Sequence, residues 1–342
     1  MPLAVVCILL TVRKFPSPLE GTEHVVDTKG IALLSVLLLD VLLFIELGGK
    51  SFEWVSPVSA VMVVLAFVLL YAFVRQERRA RNPVLAPHLV RNRVVVKAAV
   101  FMLIYGIGMM GVMTYASMFA IYIFGLTTLE AGFYSLAMVV GMMITSLLSG
   151  HLVNRTGYRA WLVTGPVLCF IGLYMMSTMG LGTDISFYYL STFILGLGLG
   201  CMMSVVMSAV QNSSRPSEMG MTTSSVNPIR SIGSTMGTAV FAMIITAAIT
   251  GELSSLLPAE VFENVPHDTG ILDIVAAVQA GTPGYEAFAP YVDEMLTAFA
   301  NSVDLAFLIG GVLLLLLVVV GLVFKVGAPA DDAASSDAVT SP

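Results

Sequence analysis

Eight long apolar blocks separated by short polar connectors dominate the chain: 30–48, 56–74, 94–125, 130–153, 160–180, 187–211, 222–250 and 302–324. About 20 helical residues cross the hydrocarbon of a bilayer, and each block approaches or exceeds that length. The runs are continuous and lack the every-second-residue alternation of barrel strands, so the pattern predicts membrane-spanning helices. A shorter apolar stretch, residues 2–12, would cover only ~16 Å of a ~30 Å core at 1.5 Å per residue. No basic segment precedes it, and Arg13 and Lys14 follow where a signal peptide would place small residues. It reads as the inner half of a span whose outer half is missing, so the chain looks truncated. Between the last two blocks, Leu253, Leu256, Leu257 and Val261, then Ile271, Ile274, Val275 and Val278, recur at helical spacing. Two or three short amphipathic helices on the membrane face are expected there. The tail from Gly327 is rich in Ala, Ser and Asp and is expected to be disordered.

Charge orients the blocks. Cationic side chains near span ends stay on the cytoplasmic side, and 75–93 holds Arg75, Arg78, Arg79, Arg81, Arg91 and Arg93. With that loop inside, alternation also puts Arg13, Lys14, Lys29, Lys97, Arg155, Arg159, Arg215, Arg230 and Lys325 inside. Lys50 is the lone exception, and 251–301 contains no Lys or Arg at all. A multi-pass protein of the cell membrane follows, with a cytoplasmic C-terminus. The composition agrees: 57% apolar and 11% charged residues leave too little charge for a soluble surface. The net charge of −6 comes largely from the outer loop and from Asp331, Asp332 and Asp337. It says nothing about partners; lipid is the expected surrounding, and nucleic acid is not expected.

Candidate chemistry is sparse. Cys7, Cys169 and Cys201 lie inside apolar runs at spacings that suit neither zinc nor a redox pair. His24, His88, His151 and His267 form no cluster, so neither a metal site nor a cofactor is expected. No paired acids or Ser/His set share a depth, which argues against an enzyme. No phosphate-binding G-x-x-x-x-G-K-[ST] loop occurs, so an ion gradient is the default energy source.

The most specific local pattern is Gly150-His-Leu-Val-Asn154-Arg155-Thr-Gly157-Tyr-Arg159, an inner link of about six residues. A glycine suits the reversal, and the arginines could bond exposed helix carbonyls; the plainer alternative is a positive-inside turn. Gly196, Gly198 and Gly200, and the pair Gly233 and Gly237, offer small surfaces for close helix approach, either for packing or for sliding. Asn227-Pro228 would cap or kink a helix near Arg230, and its place nearer the inner face reads as a gate. Asp40 lies midway along 30–48, where a carboxylate is costly. It is a candidate intramembrane acid, for proton handling or as a protonated group facing another helix. The blocks 94–125, 187–211 and 222–250 contain no Asp or Glu. Tyr105, Tyr115, Phe119 and Tyr122 follow at near-helical intervals on a helix that also carries Met113. Such groups adapt to varied apolar ligands, so they form a candidate cavity wall, with core packing or lipid contact as the other reading.

The inner link resembles the G-x-L-x-D-R-x-G-x-R loop of the major facilitator superfamily, through Gly150, Leu152, Arg155, Gly157 and Arg159. Asn154 replaces the usual Asp, which puts a relay or gating role for that carboxylate in question. Further stretches resemble the C-terminal part of the fourteen-span drug:proton antiporters. These are Glu77-Arg78-Arg79 with Asn82-Pro83-Val84-Leu85, then Leu89-Val90-Arg91-Asn92-Arg93, and Gly125-Leu126-Thr127-Thr128-Leu129-Glu130-Ala131-Gly132. Ala209-Val210-Gln211-Asn212 and Arg230-Ser231-Ile232-Gly233 continue the series.

The resemblance implies an all-α integral membrane fold. Residues 1–12 are then a partial span, 30–74 an inserted two-helix hairpin, and 75–93 a cytoplasmic basic loop. Residues 94–324 form a six-helix transporter half with the extracellular loop 251–301, and 325–342 a cytoplasmic tail. It also implies proton-coupled export of drugs or other small amphiphilic compounds, in concert with an N-terminal helical half that is missing here. A second copy of the chain could take that half's place. Because alternating access needs two bundles, the competing reading is a non-transporting membrane fragment, scaffold or regulator.

Overall fold

Apolar sequence in lipid leaves backbone groups no partner but one another, and the described chain is helical accordingly. The computed structural model describes residues 27–48, 52, 55–80, 92–213, 219–258, 261–262 and 271–324. The expected partial span 1–12, the tail 325–342 and the cations Arg13, Lys14, Lys50, Arg81, Arg91, Arg215 and Lys325 lie outside the described residues.

The helices are α1 (Thr28–Leu47), α2 (Pro57–Glu77), α3 (Arg93–Tyr122), α4 (Thr128–Thr156), α5 (Tyr158–Met176), α6 (Ile185–Asn212) and α7 (Met219–Leu256). They are followed by α8 (Ile271–Gln279), a 3-10 turn Glu286–Tyr291, α9 (Val292–Leu315) and, after a break at Leu316, α10 (Leu317–Val323). Eight helical segments among the described residues are long and apolar enough to cross a membrane, the eighth joining the 3-10 turn, α9 and α10.

Polar connectors fix where the helices begin. Asp27, Ser56, Asn92 and Asp184 each accept a backbone N–H of the first turn, with Gly30, Ser59, Val94 and Ser186 as donors at 3.0, 3.2, 2.9 and 2.8 Å. Thr127 and Glu130 bond reciprocally, Thr127 N–H to Glu130 Oε2 at 2.8 Å and Glu130 N–H to Thr127 Oγ1 at 3.3 Å. Helix ends therefore follow local chemistry more than the limits of the apolar runs. The largest difference is at 251–301. There α7 continues to Leu256 and α9 already begins at Val292, so much of the expected loop is helix extension. Among the described residues it holds one short amphipathic α-helix, α8, and the 3-10 turn. The apolar face of α8 is not turned to lipid: Ile274 and Val275 are fully buried against Leu253, Leu257, Phe288, Met295 and Leu296. The ends of α7 and α9 supply that cover.

The packing has two parts. In one, α3 lies along α7. In the other, α6 is held between α4 and α5, and α9 ties the parts together through α7, α5 and α3. The hairpin α1–α2 joins them through contacts of α1 with α7. Both main contacts are backbone-close at glycine. A Cβ on Gly233 or Gly237 would strike the carbonyl oxygen of Leu103 or Ile107 on α3, and one on Gly196 or Gly200 that of Met138 or Met142 on α4. Gly198 faces α5, where an added Cβ would meet the Gly165 carbonyl oxygen at 2.6 Å. The Tyr188 hydroxyl on α6 donates to the Ala116 carbonyl on α3 at 2.9 Å and bridges the parts.

Antiparallel order brings the starts of α1, α3, α5 and α7 to the same end as the finishes of α2, α4, α6 and α10. Cross-links at that end are Gln76 Nε2 to Asp27 Oδ1 at 3.0 Å, Asn92 Nδ2 to the Ser213 carbonyl at 3.3 Å and Lys97 Nζ to the Val323 carbonyl at 2.8 Å. Lys29, Arg75, Arg78, Arg79, Arg93, Lys97, Arg155 and Arg159 all gather there.

Alanine at Gly233 or Gly237 should cost about 1–3 kcal/mol, because backbone on α3 cannot yield as a side chain can. The melting midpoint in detergent should fall for both, whereas Gly220→Ala, with open space at its Cβ, should leave it unchanged or higher. Equal midpoints for all three would remove the close approach as a determinant of the fold.

Candidate functional site

The link between α4 and α5 is tighter than the spacing suggests, a single residue rather than about six. Gly157 alone joins them, at φ 82°, a value that favours glycine. The expected carbonyl capping by arginine is not what closes the turn. Gly157 N–H donates to the Val153 carbonyl at 2.8 Å and Thr156 Oγ1 to that of Leu152 at 2.9 Å. Trp161 Nε1 reaches Thr156 Oγ1 at 2.6 Å, and Asn212 Nδ2 donates to the Tyr158 hydroxyl. With those carbonyls taken, the exposed side chains of Arg155 and Arg159 make no hydrogen bond to a described residue. Gly150 lies inside α4, and the side chain of Asn154 is outside the described set.

Arg230 is not in a connector. Pro228 is accommodated within a continuous α7, so no helix break or cap forms at Asn227-Pro228. Arg230 is half-buried; its Nε is buried and has no hydrogen-bond partner, and its carbonyl accepts Ser234 Oγ at 3.0 Å. Across the junction on α3, Tyr105 is fully buried with its hydroxyl also without a partner, within electrostatic reach of the guanidinium.

The other aromatic candidates divide between packing and surface. Phe119 is fully buried, its ring centroid 5.7 Å from Phe124 and 6.3 Å from Phe307, and Tyr122 lies 6.2 Å from Phe299. Tyr105 and Phe119 thus line no open space in this conformation. Met113 and Tyr115 are half-buried. Near them Thr114 is exposed and Ser117 half-buried, their hydroxyls bonded to the carbonyls of Met110 and Met113 at 3.0 and 3.1 Å. Ser231, Met236 and Met243 are exposed on α7. By contrast, the outward faces of α2 and α4 are mainly hydrocarbon: Val61, Val64, Phe67 and Val68 on one, beside Tyr71, and Leu129, Phe133, Leu136 and Leu147 on the other, beside Met143. Hydroxyl and thioether groups are therefore concentrated on the outward faces of α3 and α7.

Two carboxylates lie inside spans. Asp40 is 8% exposed, its Oδ2 is buried without a partner, and it lines a cavity of about 740 Å³ between α1, α2, α3 and α7. Asp304 on α9 is half-buried with Oδ1 likewise unpartnered. Sequence reading missed it, because it sits near the start of the block 302–324 and passes for a span end. Only the true start of α9 at Val292 puts it about 18 Å along the helix. The fully buried Cys169 and nearly buried Cys201 point Sγ at the carbonyls of Leu195 and Trp161, 3.8 and 3.2 Å away. Among the described residues no group of three His, Cys, Asp or Glu could hold a metal.

Residues 30–238, more than half of the chain, match the family described as the Major Facilitator Superfamily. The chain belongs to that superfamily. Relatives include an uncharacterized MFS-type transporter of Mycobacterium tuberculosis, 29% identical over 258 residues, 75% of this chain and 38% of that protein. The multidrug transporter protein MdtP of Bacillus subtilis is 28% identical over 247 residues, 72% and 46% of the two chains. A tetracycline resistance determinant of Streptomyces rimosus is 25% identical over 307 residues, 84% and 88% of the two. The chain thus spans less than half the length of the first two. Superfamily membership and the eight long apolar helices agree on a multi-pass membrane protein related to transporters.

In this superfamily member, Tyr105→Phe removes a buried hydroxyl that has no partner, so stability should hold or rise. The melting midpoint in detergent tests this, and a clear fall would mean that the hydroxyl is bonded.

Proposed function

We propose that this chain is the C-terminal portion of a fourteen-span, proton-coupled exporter of drugs or other small amphiphilic compounds. The observation that carries the reading is the contrast between outward faces. Those of α3 and α7 hold Met110, Thr114, Met118, Ser231, Met236 and Met243 beside Val96, Val100 and Val240, while those of α2 and α4 are mainly aliphatic and aromatic hydrocarbon, with Tyr71 and Met143 among it. Thioethers adapt to ligands of varied shape, and scattered hydroxyls offer weak polar contacts within a membrane-spanning path. In this reading α3–α10 form one bundle, which rocks against a partner bundle across those faces. Tyr105 and Phe119 serve as packing behind the wall, and Met113, Tyr115 and Tyr122 stand nearer its surface. The glycine contacts of α3 with α7 and of α6 with α4 and α5 keep the bundle rigid. The names of relatives as a multidrug transporter and a tetracycline resistance determinant support the substrate class, and the eight spans and partial coverage of longer relatives support the portion.

The arginine-rich end is the cytoplasmic one in this reading, since cations near span ends are retained there. The link of Gly150, Asn154, Arg155, Gly157 and Arg159, with Arg230 and its unpartnered Nε deeper in α7, then forms the inner gate. Exposed and without a hydrogen bond to a described residue, Arg155 and Arg159 remain available to a partner bundle. On intact cells, an impermeant maleimide should label Thr282→Cys and miss Arg159→Cys; the reverse pattern would invert the topology.

Asp304 supplies the acid that the apolar blocks of α3, α6 and α7 lack, which makes it the proton-carrying group within this portion. In proteoliposomes containing the protein with its partner bundle, ethidium should drive proton movement in wild type. Asp304→Asn should reduce it at least tenfold, and Asp304→Glu should largely keep it. Normal coupling in the asparagine variant would put the proton site elsewhere. If wild type moves neither ethidium nor protons with its partner bundle present, the non-transporting scaffold is the better reading.

A further inference from the structure

The cavity beside Asp40 lies apart from the faces assigned above to transport. It is bounded by the hairpin on one side, including Phe44 and Phe73, and by α3 and α7 on the other, including Val95 and Ile229. At about 740 Å³ it falls within the roughly 300–1,000 Å³ typical of sites for drug-sized molecules. Among the described residues on its wall Asp40 is the only charged one, and that carboxylate has a buried oxygen with no hydrogen-bond partner. A carboxylate left so in a hydrocarbon setting is costly and marks a functional site by default.

We propose that this cleft binds a lipophilic monocation, with Asp40 as its counter-ion and the four helices enclosing its hydrocarbon body. Three observations select that chemistry. A metal ion would need more than one charged or polar ligand, and the lining supplies a single carboxylate among almost wholly apolar groups. A phospholipid headgroup stays at the surface, whereas Asp40 lies about 18 Å along α1 from Thr28. An acyl chain would fill the volume and leave the charge unanswered. The entrance also fits a ligand dissolved in the bilayer. Phe67, Val96 and Val100 line the cleft and are 68%, 43% and 45% exposed along spanning helices, so the mouth opens sideways to lipid.

This site concerns binding beside the bundle and does not depend on export. It is tested on the whole protein in phosphatidylcholine nanodiscs by equilibrium dialysis of tetraphenylphosphonium. The anion tetraphenylborate, of nearly the same size and shape, serves as the comparison. Wild type should bind the phosphonium saturably, and tetraphenylborate should not displace it. Asp40→Asn should weaken binding at least tenfold, and Asp40→Glu should retain it. Ala66→Trp, which fills the cleft from α2, should abolish it while the melting midpoint holds. Phosphonium affinity unchanged in Asp40→Asn, or equal competition by the borate, would overturn the proposal, as would no saturable binding at all, the result for an acid that only holds a proton. Should Asp40→Asn fail to fold, Ala66→Trp together with the cation-against-anion comparison decides.

Discussion

Close approach of helix backbones at glycine is the constraint on which the rest of this structure depends. In lipid, burying apolar side chains against one another gains little over leaving them in the bilayer, so helices associate by tight packing and polar contacts. The α3–α7 contact is set where Gly106, Gly233 and Gly237 admit carbonyl oxygens of the opposite helix. The α4–α6 contact is set in the same way by Gly141, Gly196 and Gly200. Because the colliding partner is backbone, these contacts have little tolerance. Each helix pair is therefore held in one register.

Fixed helix pairs explain how polar side chains are accommodated. Buried hydroxyls mostly fold back on their own helix: Thr145 bonds the Gly141 carbonyl at 3.0 Å, Ser191 that of Phe187 at 2.9 Å and Ser302 that of Ala298 at 2.7 Å. Such groups need no partner helix and leave the packing undisturbed. Tyr105, Arg230, Asp40 and Asp304 are different, because their side chains are too long or too strongly charged for self-bonding. Each retains a buried atom without a partner. These are the positions where a second conformation, a ligand or a partner bundle has most to gain.

Which of these features could be read from the sequence follows from the range of the interactions. Apolar block length and cation placement are properties of contiguous residues, so the eight spans and the gathering of arginines at one end were legible. The glycines of α6 and α7 could be named as small surfaces, but which helix each one meets could not be read. Helix ends were less legible. The run rule stopped α7 at 250 and started the last span at 302, whereas packing of Leu253, Leu257, Met295 and Leu296 around α8 extends both helices. That error hid Asp304, which looks peripheral in a block starting at 302 and internal in a helix starting at 292. The aromatic series on α3 failed differently. Helical spacing identifies a shared face but not what covers it, and here α9 covers Phe119 and Tyr122 through Phe307 and Phe299.

The hairpin shows why a contact surface cannot be inferred from hydropathy alone. Nothing in the pattern of 30–48 and 56–74 separates them from the bundle helices, yet α1 and α2 bury little surface. Their contact with the body runs mainly from α1 to α7. Loose attachment on one side is what leaves room for a cavity on the other. A more closely packed hairpin would close the space between Asp40 and the side chains of Val95 and Ile229. As arranged, the carboxylate meets open apolar space that a bilayer-soluble ligand can enter without disturbing the glycine contacts of the bundle.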